Sequence, residues 1–221
     1  MPEFITTSGQ VPYLDAVAAM EGHVAAMMAG TARDRIWFLE HPPTYTAGTS
    51  ATAAGFKTQP LNESQKLIPP IPVYQTGRGG QYTYHGPGQR VVYVMLNLAH
   101  YYPTPDIRRF VVDLEEWMIR ALADLGVVGE RRPGRIGIWV VKQDGTEVKI
   151  AALGIRVRHG IAFHGLAINV NPDLSHYDGI IPCGINDYGV TSLADLGVRA
   201  DMATLDRALT AQFYNVFTEV V

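Results

Sequence analysis

Apolar residues that return every three or four positions predict three helices. Over Pro12 to Ala29, residues Leu14, Val17, Val24 and Met28 fall on roughly one face, and Pro12 suits a first helical turn. The clearest helix runs from Asp106 to Leu125. There Ile107, Phe110, Val111, Leu114, Met118, Ala121, Leu122 and Leu125 keep helical spacing and Gly126 stops it. A third amphipathic helix is predicted over Thr204 to Val220. Strand patterns lie between them. Ile36 to Glu40 is a short strand that stops at His41-Pro42-Pro43. Val91 to Leu98 is apolar on both faces and so predicts a central strand. Ile136 to Val157 reads as a hairpin turning at Asp144-Gly145, and Ile161 to Val170 as a further strand. Thr49 to Pro72 lacks any period and predicts a long surface loop.

Because strands do not alternate one for one with helices, a doubly wound sheet is excluded. The pattern predicts an α+β fold: one domain over residues 1–221, with mixed, largely antiparallel sheet flanked by helices. No internal repeat, low-complexity tract or linker divides the chain.

Composition narrows the function classes. At 221 residues, with 47% hydrophobic and 18% charged residues, the chain can bury one substantial core. A net charge of -3 without any Lys/Arg run argues against a nucleic-acid partner. No apolar stretch reaches bilayer length, and the first residues carry no secretion signal, so no membrane partner is expected. A single cysteine, Cys183, permits no intrachain disulfide and no Cys-rich metal site. A reducing cytoplasm is the expected location.

Three places could carry chemistry. The stretch GRGGQYTYHGPGQ, Gly77 to Gln89, lacks the Gly-Lys-Ser/Thr of a phosphate loop and the spacing of a dinucleotide fingerprint. It is either a turn-rich connection or a loop whose backbone approaches a ligand beside Arg78, Thr83 and His85. Strict alternation puts Lys149 on one strand face with Ala151, Leu153 and Ile155. A lysine there either reaches past its apolar neighbours to water or sits enclosed, where it can accept a proton. His159 and His164, five apart, face opposite ways on a strand and form no simple metal pair. Cys183, between Pro182 and Gly184, is either an inert filler or a loop nucleophile.

Taken together, LEHPPTYTAG (Leu39 to Gly48), RGGQYTYHGPGQ (Arg78 to Gln89) and the segment from Lys149 through Ile181-Pro182-Cys183-Gly184 resemble the octanoyltransferase family, in the family's order. The resemblance covers about Leu39 to Leu196 and implies a biotin/lipoate ligase-like fold. It implies transfer of octanoyl from octanoyl-acyl carrier protein to a lysine of a lipoyl domain, with no cofactor and no metal. The expected acceptors are lipoyl domains of 2-oxoacid dehydrogenase E2 subunits and the glycine cleavage H protein. By position, the thioester-forming cysteine falls on Cys183 and its paired lysine on Lys149. Substrate-lining residues fall on Arg78, Gly79, Gly80, Gln81, Tyr82, Thr83, Tyr84 and His85, on Ala152, Leu153 and Gly154, and on Gly165, Leu166 and Ala167. Gly77 departs from the family, which often carries an acidic residue there. An ATP-dependent lipoate or biotin ligase is the nearest alternative, although a GGG motif of the ligase kind is absent. A non-catalytic binder of acyl chains or lipoyl domains is the alternative from another class.

Overall fold

The computed structural model describes residues 1–57, 71–180 and 188–218. Strands β1 (Glu3–Gln10) and β2 (Arg35–Glu40) flank helix α1 (Tyr13–Met28). After them come β3 (Thr44–Ala47), β4 (Val73–Gln75), β5 (Tyr82–His85) and β6 (Gln89–Asn97). Helix α2 (Ile107–Asp124) leads to β7 (Glu130–Arg132), β8 (Arg135–Val141), β9 (Glu147–Arg158) and β10 (Ile161–Asn169). The two-residue β11 (Gly189–Val190) and helix α3 (Met202–Val216) complete the described elements.

The main sheet runs β1-β2-β6-β10-β9-β8-β7, with β11 on β9, and a small sheet runs β4-β3-β5. Pairing is antiparallel except for β1 on β2, β3 on β4 and β11 on β9. The predicted mixed, largely antiparallel α+β architecture is therefore what forms. As predicted, β6 is central and buried on both faces. Val92, Val94 and Leu96 enter the larger core, with Phe110, Leu114 and Trp117 of α2 and Leu209 and Phe213 of α3. Val91, Tyr93 and Met95 enter a second core under α1.

Local chemistry explains most boundaries. Asp106 accepts from Arg109 N–H at 3.0 Å and starts α2; Asp201 does the same for Thr204 at 2.8 Å and starts α3 two residues before the predicted Thr204. The last predicted residues of α3, Glu219 and Val220, lie outside the described residues. The Asp144-Gly145 turn forms as predicted, with Gly145 at φ +84° and Lys142 N–H donating to Thr146 C=O at 2.9 Å. His159-Gly160, both at positive φ, turn β9 into β10.

Three predictions need correction. The buried face of α1 is Tyr13, Ala16, Met20 and Val24; Leu14 is 58% and Met28 45% exposed. In a helix built of alanine, methionine and valine, two neighbouring stripes are nearly equally apolar, and the sheet selects between them. Ile107, expected on the core face of α2, is exposed. The third correction concerns β9. Ile138 pairs with Ala151 but Trp139 pairs with Lys149, so Ile150 is an extra residue, a β-bulge. Val148, Ile150, Ala151 and, beyond them, Leu153 and Ile155 all belong to the larger core. Lys149 is therefore turned away from Ala151, Leu153 and Ile155 and toward the face of Ala152 and Gly154. Of the predicted loop, residues 58–70 lie outside the described residues; the rest contains a turn at Ala53–Gly55 and a bridge from Phe56 to Ile180.

Candidate active site

Between the α1 face of the main sheet and the small sheet lies an apolar cleft of about 560 Å³, part of it open to solvent. Its walls come from four places: Tyr13 of α1, residues 78–85, the middle of β6, and the facing stretches of β9 and β10. Of the residues singled out from sequence, Arg78, Gly80, Gln81, Tyr82, Thr83 and His85 line it, as do Ala152, Leu153, Gly154, Gly165, Leu166 and Ala167. Gly154 and Gly165 stand opposite each other across β9 and β10, and Ala152 opposite Ala167. A Cβ at Gly165 would collide with the Val92 carbonyl of β6, so only glycine lets β10 and β6 approach here.

Two of the predicted lining residues sit behind the wall. Gly79 donates its N–H to Ile155 C=O at 3.0 Å, tying the loop to β9. Tyr84 is 1% exposed and packs between Tyr45, His176 and Tyr177, its hydroxyl 2.6 Å from His176 Nδ1. Burial pushes that phenol well above its usual range.

Arg78 organises the loop. Its guanidinium donates to Gly79 C=O at 2.9 Å, to Thr46 C=O and Oγ1 at 2.9 and 2.7 Å, and to Gln81 C=O at 3.0 Å. A buried cation is thus wrapped in carbonyl oxygens, which holds the glycine-rich loop against β3. A Cβ at Gly77 would strike the guanidinium of Arg156, which occupies the space beside it.

The polar floor has a fixed hydrogen-bond sense. His41 Nδ1 lies 2.7 Å from Val11 C=O and must donate, so its Nε2 accepts from the Tyr93 hydroxyl at 3.0 Å. Gln89 Nε2 donates to Tyr84 C=O at 3.1 Å, so its Oε1 accepts from His85 Nδ1 at 2.7 Å. Burial holds His41 and His85 neutral, His85 down at about 3 with help from neighbouring His41.

Tyr13, Val91, Tyr93 and His164 also line the cleft, and sequence reasoning missed them. A tyrosine within an otherwise aliphatic central strand was the available signal for Tyr93. For His164 there was none. Its parity matches Ala162 and Leu166, which face the larger core, but φ of +64° turns it instead toward the cleft. Its N–H goes to the sulfur of Met20, where the β10–β6 ladder is interrupted. Burial, then the charges of Arg78 and Arg156, lower its pKa to about 4. His159 sits apart, in the hairpin turn.

Lys149 is 6% exposed. Its Nζ donates to Ile136 C=O at 2.7 Å and stands 5.5 Å from the centroid of the Trp139 ring. With Ile150 bulged out, Ala152 is its next neighbour on the same face, about 7 Å along the strand. Val190 pairs with Lys149 and Gly189 with Val148, so β11 runs beside the lysine. Cys183 lies outside the described residues. Among the described residues, no cluster of His, Cys, Asp and Glu side chains is arranged to hold a metal ion.

Residues 12–214 match the family model of the lipoyl protein ligase A/B catalytic domain. The octanoyltransferase of Paramagnetospirillum magneticum is 54% identical over 217 residues, covering 97% of this chain and 96% of its own. That of Parvibaculum lavamentivorans is 51% identical over 220 residues, covering 98% and 92%. Among solved structures, a lipoate-protein ligase A bound with ATP superposes with a TM-score of 0.71 at 16% identity, covering 99% of this chain and 88% of its own. A bi-partite lipoate protein ligase from Thermoplasma acidophilum gives 0.67 at 16%, covering 99% and 86%. These last two likenesses speak for the fold alone. With a matching family model and relatives more than half identical along nearly their whole length, the chain belongs to the octanoyltransferases of the lipoyl protein ligase A/B catalytic-domain family.

Proposed function

We propose that the chain, residues 1–221 acting as one catalytic domain, transfers an octanoyl group from octanoyl-acyl carrier protein to a lysine of lipoyl domains. Acceptors are those of 2-oxoacid dehydrogenase E2 subunits and the glycine cleavage H protein. The observation that carries the reading is a buried lysine, Lys149, on the same sheet face as an apolar cleft. In the first step the Cys183 thiolate attacks the donor's thioester carbonyl; the donor sulfur leaves with the proton of the Lys149 ammonium, and the octanoyl group remains on Cys183. In the second, the neutral amine of the acceptor lysine attacks that new thioester, its proton passes to Lys149, and Cys183 leaves as thiolate, which restores the starting pair. As ammonium Lys149 stabilises the thiolate, and as amine it takes the proton.

The cleft beside Ala152, Ala167 and Val91 suits the acyl chain, whose burial contributes about 0.8 kcal/mol per methylene. Arg78, Gly80, Gln81, Tyr82, Thr83 and His85 line the opposite side. Neither step consumes ATP, because the acyl group arrives activated. A thiol nucleophile works best in a reducing compartment, which agrees with the cytoplasm.

The test is mass spectrometry after mixing with octanoyl-acyl carrier protein without nucleotide. An octanoyl adduct on Cys183 is expected in the wild type and none in Cys183→Ser. An adduct that persists in Cys183→Ser puts the nucleophile elsewhere, and a strict need for ATP makes the chain a ligase.

A further inference from the structure

The hydrogen bond from Lys149 ends on a peptide unit whose other side is also taken. Ile136 C=O receives the ammonium at 2.7 Å, and the N–H of the same peptide, that of Gly137, donates to Glu115 Oε1 at 2.9 Å. Carbonyl and amide point in opposite directions across a trans peptide plane, so holding one end aims the other. Glu115 belongs to α2, on the far side of the main sheet, and is buried. One peptide in β8 therefore joins a buried carboxylate of α2 to an amine on the opposite face of the sheet.

We propose that Glu115 is a positioning residue for Lys149, acting through the Ile136–Gly137 peptide. The inference rests on the role given to Lys149 above. Three observations support it. Gly137 has φ +112°, and a Cβ there would stand 2.5 Å from both Lys149 Cε and Ala151 O, so the peptide's pose needs glycine. A carboxylate is costly to bury and is retained here by one backbone N–H and by Arg131 Nε at 3.4 Å. An ion at each end of a peptide polarises it, which strengthens both bonds in a medium of low dielectric.

Among the described residues, the other charged groups near the two ends have partners of their own. On the lysine's side, Arg135 lies 4.7 Å over the Trp139 ring and 4.1 Å over Tyr188, and it is paired with Glu147 at 2.7 Å. Arg132 shares Glu147. On the carboxylate's side, Arg131 also pairs with Glu116 at 2.8 Å. Neither Glu147 nor Glu116 duplicates the contact of Glu115 with the peptide.

Cys183 is the only cysteine, so its alkylation by iodoacetamide, followed by mass spectrometry between pH 6 and 9, reads the lysine's influence directly. Wild type, Glu115→Ala, Glu115→Gln, Lys149→Ala and both Glu115 variants combined with Lys149→Ala are compared. Glu115→Ala should move the profile to higher pH and slow alkylation at pH 7 by about tenfold. Glu115→Gln keeps an acceptor for Gly137 N–H but loses the charge, and should fall between. In the Lys149→Ala background neither substitution should slow the reaction further. If Glu115→Ala does not fold, Glu115→Gln with its double variant decides in the same way. A wild-type profile for the Glu115 variants, beside an altered one for Lys149→Ala, overturns the proposal. So does equal slowing in both backgrounds, which marks a structural role only. If Lys149→Ala itself keeps the wild-type profile, the reading of Lys149 fails first and this inference with it.

Discussion

Lys149 and Trp139 are paired residues of β9 and β8, and the ammonium lies 5.5 Å from the centre of the indole ring. Trp139 is 2% exposed, and its Nε1 donates to Arg135 C=O at 3.0 Å, which fixes the ring face beneath the amine. A cation over a desolvated indole gains about 0.5–2 kcal/mol. Replacing Trp139 with Leu should therefore slow alkylation of Cys183 at pH 7 roughly 2- to 30-fold. An unchanged rate would mean that the ring only fills space.

The buried histidines make stability depend on pH. His85 and His164 are held at about 3 and about 4, below the ordinary value near 6.5 that they regain when the chain unfolds. Between those values the unfolded chain binds more protons, so stability falls as pH drops from about 6.5 toward 4. Each group contributes at most about 1.4 kcal/mol per pH unit in that window. Urea unfolding at several pH values should show a shallower slope for His85→Gln, and a slope equal to the wild type's would count against the buried neutral ring.

Arg78→Lys keeps the charge but cannot reproduce four bonds from a planar fork. A loss of about 3 kcal/mol is expected from the bonds to this cation. Thermal unfolding and the KM for the acyl donor should both change. A variant as stable as the wild type would show that the loop holds itself.

Gly165→Ala forces a methyl group against the Val92 carbonyl in the middle of a sheet paired on both sides. Destabilisation of about 2–4 kcal/mol is expected by denaturant titration. A cost below 0.5 kcal/mol would mean that β6 and β10 can separate without penalty.

Periodicity made the large elements legible. Helix α2 and the Asp144-Gly145 hairpin were readable because strong amphipathic contrast and a specific turn dipeptide each act over a few residues. Strand β1, the small sheet and β7 were not anticipated. β1 is a polar edge strand paired in parallel, and β3 to β5 lie among prolines and glycines that read as loop. Within the cleft, the glycine-rich loop and the facing segments Ala152 to Gly154 and Gly165 to Ala167 could be named from motif. His164 could not, because one left-handed residue reverses its face. Glu115 could not either, because its link to Lys149 is made through backbone atoms that no side-chain pattern encodes.

The unpaired Ile150 gives this ribbon a break in phase. N-terminal to it, even positions such as Val148 enter the larger core and the odd Lys149 lies on the opposite face; C-terminal to it, the odd Ala151 and Leu153 enter that core and the even Ala152 and Gly154 turn to the cleft. A substitution scan along β9 would thus yield two interleaved tracks, one of melting temperature and one of turnover, that exchange parity at a single residue.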